Sequence, residues 1–130
     1  MELNMTGGTT IRNMKAQFSC LFSHLKIEID QEFEEEEVLA NAKKSSDGLR
    51  LGKTCHLLKE GVFVFTPSMS VAEFKRRLQK EFGLAVQVFR SEGNLWVGTL
   101  LTDNLSLAKQ NMIGRLVSKP FRFNMNSLFL

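Results

Sequence analysis

The side chains with the greatest potential for chemistry are two cysteines and two histidines, which lie in neighbouring pairs. His24 follows Cys20 by four residues, a spacing that puts both on one helix face if the helix extends that far. Cys55 and His56 are adjacent in a predicted strand, where neighbouring side chains point to opposite faces. A reactive thiolate needs an activating base within reach. We favour the plainer interpretation, in which His24 ends a helix and both cysteines are buried free thiols.

Motifs for phosphate or metal binding are missing from the sequence. The segment from Gly48 to Thr54 is one residue short of a P-loop and leads into a predicted strand. The acidic run from Glu34 to Glu37 lacks the alternating ligands of a calcium loop and suits the start of a short helix. The cysteines and histidines lack zinc-site spacing. We therefore predict a protein that is not an enzyme, with no catalytic residue, metal or cofactor.

Positive charge on a predicted helix at residues 70–82 gives the candidate binding residues, which are Lys75, Arg76 and Lys80. At about 100° per residue, Arg76 and Lys80 lie close together on the outer face, away from the apolar stripe. Such side chains bind phosphates or an acidic protein surface. The competing interpretation is a solvated face, on which Arg77 pairs with glutamates four residues to either side.

The helix that positions these cations carries the clearest local signals. Ser70 suits the N-cap, Glu73 completes a capping box, and Gly83 suits a left-handed end. One apolar stripe runs along the helix, made by Val71, Phe74, Leu78 and Phe82. Strands are predicted on both sides, at residues 62–65 and 85–89, and we expect both in one sheet.

Weaker patterns complete the assignment. Residues 54–59 are predicted to form a hairpin with the strand at 62–65, and residues 95–97 to form one with the strand at 85–89. Residues 105–110 suggest a short helical turn capped by Asp103 or Asn104. Late strands are predicted at 115–118 and 121–123. Trp96, the single tryptophan, is interpreted as a core residue in preference to an interface anchor.

A second helix and strand near the N-terminus repeat part of this pattern. Six residues lie sixty positions before residues of identical or similar type, namely Thr10, Ile11, Met14, Lys15, Phe18 and Phe22. Leu25, Ile27 and Ile29 then alternate with polar residues as a half-buried strand does. We predict a partial duplication, with residues 9–45 repeating part of a main unit at 53–118. The alternative is that any two amphipathic helices followed by strands look alike.

The middle of the chain resembles the ubiquitin-like β-grasp family. The resemblance rests on the stretch from Phe65 to Lys75, with its Pro-Ser step, its Ser70 cap and a lysine after an apolar position, and on Leu78 and Gly83-Leu84. It covers about residues 53–118 and implies a mixed sheet packed on one main helix, with a protein-binding role. Conjugated family members end in Gly-Gly, which this chain lacks. Residues 74–84 also resemble short bacterial proteins of unassigned function.

Length and charge set the remaining expectations. A chain of 130 residues with 43% hydrophobic residues suits one compact α+β domain, residues 1–130. Residues 1–40 carry three bases and eight acids, and residues 41–130 carry 14 bases and six acids. This asymmetry and an apolar C-terminus favour self-association. No signal peptide and no apolar run of about 20 residues is visible, so a cytoplasmic protein without a membrane contact is expected.

Together these patterns predict a non-catalytic protein-interaction or structural module that binds a protein partner or a second copy. The alternative is nucleic-acid binding through the basic face of the helix at 70–82.

Overall fold

A computed structural model describes residues 1–30, 50–51 and 57–118. The strands and helices in chain order are β1 (Glu2–Met5), α1 (Ile11–Leu21), β2 (Leu25–Ile29), β3 (Gly61–Val64), α2 (Val71–Phe82), β4 (Val86–Glu92), β5 (Leu95–Gly98) and α3 (Leu107–Ser118). A 3₁₀ turn at Leu100–Thr102 joins β5 to α3. The described residues thus form three helices and two antiparallel sheets, which confirms the predicted α+β class.

Two β-α-β units make the centre of the fold. The first runs β1-α1-β2 and the second β3-α2-β4, and β1 pairs antiparallel with β3 as β2 does with β4. Leu3 lies opposite Phe63, sixty positions later, and Ile27 lies opposite Val88, sixty-one positions later. Equivalent residues therefore face each other, which is the pairing pattern of two units related by an approximate twofold axis.

The two central helices form for the same local reasons. The hydroxyl of Thr10 accepts a hydrogen bond from the backbone N–H of Asn13 at 3.0 Å, and that of Ser70 accepts one from Glu73 at 3.1 Å. Each N-cap satisfies one free N–H of the first turn. At its other end α2 stops at Gly83, which has a φ of 73° and is the residue type best suited to that conformation.

A phenylalanine-rich core lies between the two units. The rings of Phe18 and Phe74, one from each helix, have centroids 5.3 Å apart. Phe63 and Phe65 add their rings from the second unit, with Phe65 5.1 Å from Phe74. All four are buried, together with Leu3 and the inward residues of the other strands. One continuous cluster of buried apolar side chains therefore joins both units.

The second unit continues into a hairpin and a third helix. β4 turns at Gly93, with a φ of 69°, into β5, so the second sheet has the order β2-β4-β5. This confirms the hairpin predicted after α2. The chain then passes through the 3₁₀ turn to α3, whose N-cap hydroxyl is that of Ser106. α3 packs mainly on β4.

Several predictions about the arrangement are wrong. The mixed sheet on one main helix is replaced by two antiparallel sheets, and β3 and β4 lie in different sheets because each pairs with the first unit. Residues 115–118 belong to α3 and are not a strand. In the described part of the chain β3 pairs with β1, and residues 57–60 are not a strand. The order of elements implied by the ubiquitin-like resemblance is therefore not found here.

Other predictions lie wholly or partly outside the described residues. These are the acidic helix start at 34–37, Cys55 and His56, the first part of the hairpin at 54–59, and the strand at 121–123. Within the described part of the predicted repeat, α1 and β2 match α2 and β4, and β1 adds a strand that the sequence analysis did not predict. Descent of both units from one duplicated segment stays a prediction.

Candidate functional site

The three predicted binding residues lie on α2 but differ in their surroundings. The ammonium of Lys75 donates a hydrogen bond to Gln87 at 3.1 Å and is partly buried. Arg76 is exposed, with its guanidinium 3.8 Å from Glu73. Lys80 is exposed, and no described carboxylate lies within ion-pair distance of it. The outer face of α2 therefore presents Arg76 and Lys80, while Lys75 is held against β4.

A shallow groove of about 300 Å³ lies beside Lys75 and Arg76. Its charged lining also includes Asp30 and Asp103, so two acids oppose two bases. Gln87 bridges the groove, since its amide donates to Asp30 at 3.1 Å and accepts from Lys75. This mixture of charges gives the groove little preference for an anion.

Arg77 and Glu81 make the ion pair that the solvated-face interpretation requires. Nε of Arg77 lies 2.8 Å from the Glu81 carboxylate, and the guanidinium sits 5.0 Å from the ring centroid of Phe63. The hydrogen bond from Arg77 holds the pKa of Glu81 below its ordinary value, with added attraction from Lys59 and Lys80 and an opposing effect of burial. Arg77 is thus part of the fold's packing.

The thiol–imidazole pair of Cys20 and His24, the less favoured interpretation of the sequence, is not assembled. α1 ends at Leu21, so His24 lies beyond it, and its Nδ1 is 3.1 Å from the hydroxyl of Ser91. Cys20 is exposed on α1, so the prediction that it packs as a buried thiol is wrong. Its position on the side of α1 away from the core explains the exposure, because Phe18 and Phe22 carry the buried stripe.

Metal clusters and membrane-spanning helices are both missing from the described ranges. Within residues 1–30, 50–51 and 57–118, no group of three or more His, Cys, Asp or Glu side chains is arranged to hold a metal ion. None of the described helices combines the length and the apolar character that a membrane crossing requires.

The most distinctive feature is a set of exposed apolar side chains in the segment from β5 to α3, which we call the apolar edge surface. It consists of seven residues, which are Leu95, Trp96, Leu100, Leu101, Met112, Leu116 and Val117. Leu101 is 95% exposed and Leu95 is 67% exposed. Isolated exposed apolar residues are common on proteins, whereas a contiguous exposed apolar patch is typical of an interaction site.

α3 contributes to the apolar edge surface because its polar side faces the protein. Gln110 is fully buried; it accepts from Arg90 at 2.7 Å and donates to the carbonyl of Thr102 at 2.7 Å. Asn111 accepts from the backbone N–H of His24 at 2.8 Å. Gly114 lets the helix approach closely, since a Cβ there would lie 3.0 Å from atoms of Arg90 and His24. With these residues inward, Met112 and Leu116 face solvent, and Val117 is half-exposed near the end of the helix.

The same edge also ends the three-stranded sheet. In the described part of the chain β5 pairs only with β4, and no described strand lies along its other edge. α3 packs on β4, the neighbour of β5; Ser118 accepts from the backbone N–H of Gly93 at 2.9 Å in the turn before β5, and Gln110 donates to Thr102, which follows β5. Backbone hydrogen-bonding groups and apolar side chains are thus exposed together.

Trp96 lies on this edge, so its interpretation as a core residue is wrong. Its side chain is 44% exposed, and the ammonium of Lys26 lies 5.0 Å from its ring centroid and 5.7 Å from that of Phe89. A cation over two rings holds the indole in place while one face stays open. The arrangement suits an interface anchor.

Sequence reasoning missed six of the seven residues of the apolar edge surface and placed the seventh in the core. One signal was available: residues 93–102 hold no charged residue and no proline, the two devices that usually protect an edge strand. A second was Leu116, which lies about 200° around the helix from Gly114 and so cannot share the buried face of a helix that turns Gln110 and Gly114 inward.

Comparison of the chain with protein-family models, with curated proteins and with solved structures found no match. The protein can thus be classified by its architecture alone, as an α+β protein of two cross-paired β-α-β units with an apolar edge. The resemblance to ubiquitin-like domains stays a prediction.

Proposed function

We propose that this chain is a non-catalytic protein-interaction module that binds through the apolar edge surface. The observation that carries the proposal is the coincidence of an open, uncharged strand edge with exposed leucines and a half-exposed tryptophan. The partner that fits this chemistry is a protein that presents an extended strand flanked by apolar side chains.

The free energy available from covering these side chains favours a role in binding a partner over a role in the stability of the isolated chain. Leu101 and Leu116 are exposed, so neither contributes much to the stability of the isolated chain. Covering a fully exposed leucine is worth about 1.5 to 3 kcal/mol, so a few such residues supply much of the free energy of a stable complex.

The test compares two double variants that each place two glutamates on exposed apolar positions. Leu101→Glu/Leu116→Glu changes the apolar edge surface, and Val62→Glu/Val64→Glu changes exposed positions of β3 and serves as the matched control. Homotypic association is measured by light scattering and heterotypic association by capture from native extract. We expect the first variant to lose about 2 kcal/mol or more of binding free energy, roughly a thirtyfold loss of affinity.

The control is expected to bind as the unchanged chain does. Both variants should melt within a few degrees of the unchanged chain, because exposed substitutions cost about 0.5 kcal/mol or less. Equal losses in both variants, or a loss confined to the β3 variant, would refute binding at the apolar edge surface.

Nucleic-acid binding by α2 is the second candidate, and the exposure of Arg76 and Lys80 favours it. Against it, Lys75 is bonded to Gln87 and Arg76 lies near Glu73, which dilutes the positive face. This function requires retention on nucleic acid that falls steeply with salt and is lost in Arg76→Glu/Lys80→Glu. An absence of retention at low salt would eliminate it.

A further inference from the structure

We propose that the occupant of the apolar edge surface is a second copy of this chain, joined by antiparallel pairing of β5 with β5 of the other copy across a twofold axis at Val97. The inference rests on the proposed function, since it names the partner of the same surface. It follows from the direction of backbone groups, the side chains of β5 and the position of α3.

The backbone of β5 directs alternate residues to its open edge. The N–H of Thr99 bonds to the carbonyl of Val88 at 3.1 Å, so this opposite pair is a hydrogen-bonded one. Bonded and non-bonded pairs alternate along an antiparallel ladder. Trp96 and Gly98, opposite Ser91 and Phe89, are therefore the residues whose N–H and C=O groups point away from β4.

These outward groups restrict the register of a symmetric pair. With Val97 on the axis, Trp96 of one copy lies opposite Gly98 of the other, and all four bonds form between residues of β5 itself. With Trp96 on the axis, the outer bonds would require Asn94, which lies in the turn before β5. The axis at Val97 is the register that uses the whole strand.

The side chains of β5 suit the same register. Gly98 has no side chain, so the indole of the opposite Trp96 finds room beside it, where Phe89 already lies 3.7 Å from the position of a Cβ. An aromatic ring covering a glycine on the neighbouring strand is a favourable cross-strand arrangement. Residues 93–102 carry no charge, so nothing on this edge repels an identical edge.

α3 flanks the contact between the strands. It lies over β4, where a Cβ on Gly114 would be 3.0 Å from Arg90. Strands are spaced by about 4.8 Å, so the two α3 helices would stand roughly 14 Å apart across the axis, beyond the usual helix contact distance of 8–10 Å, and would leave the strand pairing unobstructed. Val117, seven residues after Gln110, lies on the same side of α3 and is half-exposed.

The experiment traps the pair through cysteines in the full chain, with Cys20→Ser and Cys55→Ser as the background. Val97→Cys puts two thiols on the axis in a non-bonded pair, where Cα atoms are about 4.5 Å apart and a disulfide can form. Leu95→Cys is the matched control. It is on the same strand and more exposed, but its two copies would be about 13 Å apart.

We expect a covalent dimer from Val97→Cys under mild oxidation, forming at least tenfold faster than from Leu95→Cys. A second measurement uses the tryptophan fluorescence of the unchanged chain, which reports on this site alone because Trp96 is its single tryptophan. Its emission should shift to the blue as concentration rises about a hundredfold and the indole becomes covered. Equal trapping rates, faster trapping of Leu95→Cys, or a monomer with unchanged emission at every concentration would overturn the pairing.

The two proposals can fail separately. A monomeric chain from which Leu101→Glu/Leu116→Glu removes a captured partner, while the β3 control keeps it, would overturn self-pairing and leave the interaction function standing. A monomeric chain with no partner sensitive to either variant would overturn both.

Discussion

The two β-α-β units of this protein share a plan but differ in the segments that extend them. In both, a hydroxyl caps the helix, an apolar stripe enters a common core, and a strand pairs with its counterpart in the other unit. In the first unit β2 has five residues, whereas β4 of the second has seven and turns into β5. The hairpin, the 3₁₀ turn and α3 have no described counterpart in the first unit.

The two parts therefore have different roles in our proposal: the shared units form the stable core, and the extension carries the proposed binding surface. The residues common to both units are mainly buried ones, such as Phe18 and its counterpart Leu78. The exposed apolar residues of the apolar edge surface all lie in the extension after β4. The two paired units can form a core without the extension. Because the extension breaks the symmetry and exposes leucines, we expect a partner to bind there.

The outer faces of the two helices differ in the same way. Arg76 and Lys80 on α2 correspond by position to Ala16 and Cys20 on α1, all four of them exposed. A helix in this position therefore does not require positive charge on its outer face. Whether Arg76 and Lys80 only contact solvent or bind a partner, that property is specific to the second unit.

The largest expected effect comes from removing one of the two facing rings. Phe74→Ala and Phe18→Ala should each destabilise the protein by about 3 to 5 kcal/mol. Phe74 should cost more, because its ring also contacts Phe63 and Phe65. Denaturant unfolding of both variants and of the double variant measures this. Additive losses would contradict a shared core, since contacting residues couple.

A smaller effect is expected where α3 meets the sheet. Gly114→Ala forces a Cβ against Arg90 and the backbone of His24. Overpacking of about 1 to 3 kcal/mol exceeds the gain of about 1 kcal/mol in helix propensity, so a net loss is predicted. Thermal unfolding measures it against Lys109→Ala on the exposed side of α3. A stabilised Gly114→Ala protein would show that α3 is not held in this close contact.

The caps provide a direct comparison of the units. Thr10→Ala and Ser70→Ala each remove a side-chain acceptor for an N–H of the first helical turn, with an expected cost of about 1 kcal/mol each. Similar losses in denaturant unfolding would support equivalent roles for α1 and α2. A loss in one variant with no change in the other would break the equivalence.

The smallest effect concerns the ion pair of α2. Glu81→Gln should cost about 0.3 to 0.5 kcal/mol near neutral pH. Because the folded protein lowers the pKa of Glu81, the contribution is complete above the unfolded value, about 4.3, and is lost as the pH falls through the lower folded value. Unfolding measured from neutral to acid pH should show the unchanged chain converging on the variant. A constant difference would contradict this sign.

Local signals explain why α2 was predicted over its full length and α3 only at its start. Ser70, the apolar stripe and Gly83 specify α2 within fourteen residues. α3 turns Gln110 and Gly114 inward because Arg90 and His24, distant in sequence, bond to it or pack against it. Without those partners its apolar residues have no helical stripe, and residues 115–118 look like a strand.

The sequence did not reveal which strands pair with each other, for a related reason. The alternation of apolar and polar residues in β2 predicted a strand. Residues 25–29 do not indicate that β4 is its partner, because strand pairing depends on the whole core. β1 was missed although Leu3 and Met5 alternate with polar residues and lie sixty positions before Phe63 and Phe65. The candidate site was missed because exposure is set by neighbours, and residue type alone does not reveal it.

The central claim, that a partner strand covers the open edge of β5, is tested most directly by amide hydrogen exchange at Trp96 and Gly98. Their N–H groups point away from β4, so in an isolated chain both exchange quickly. We predict slow exchange in concentrated protein and fast exchange after dilution, with the N–H of Thr99 protected in both. Fast exchange of Trp96 and Gly98 at every concentration, also when a captured partner is present, would contradict the account.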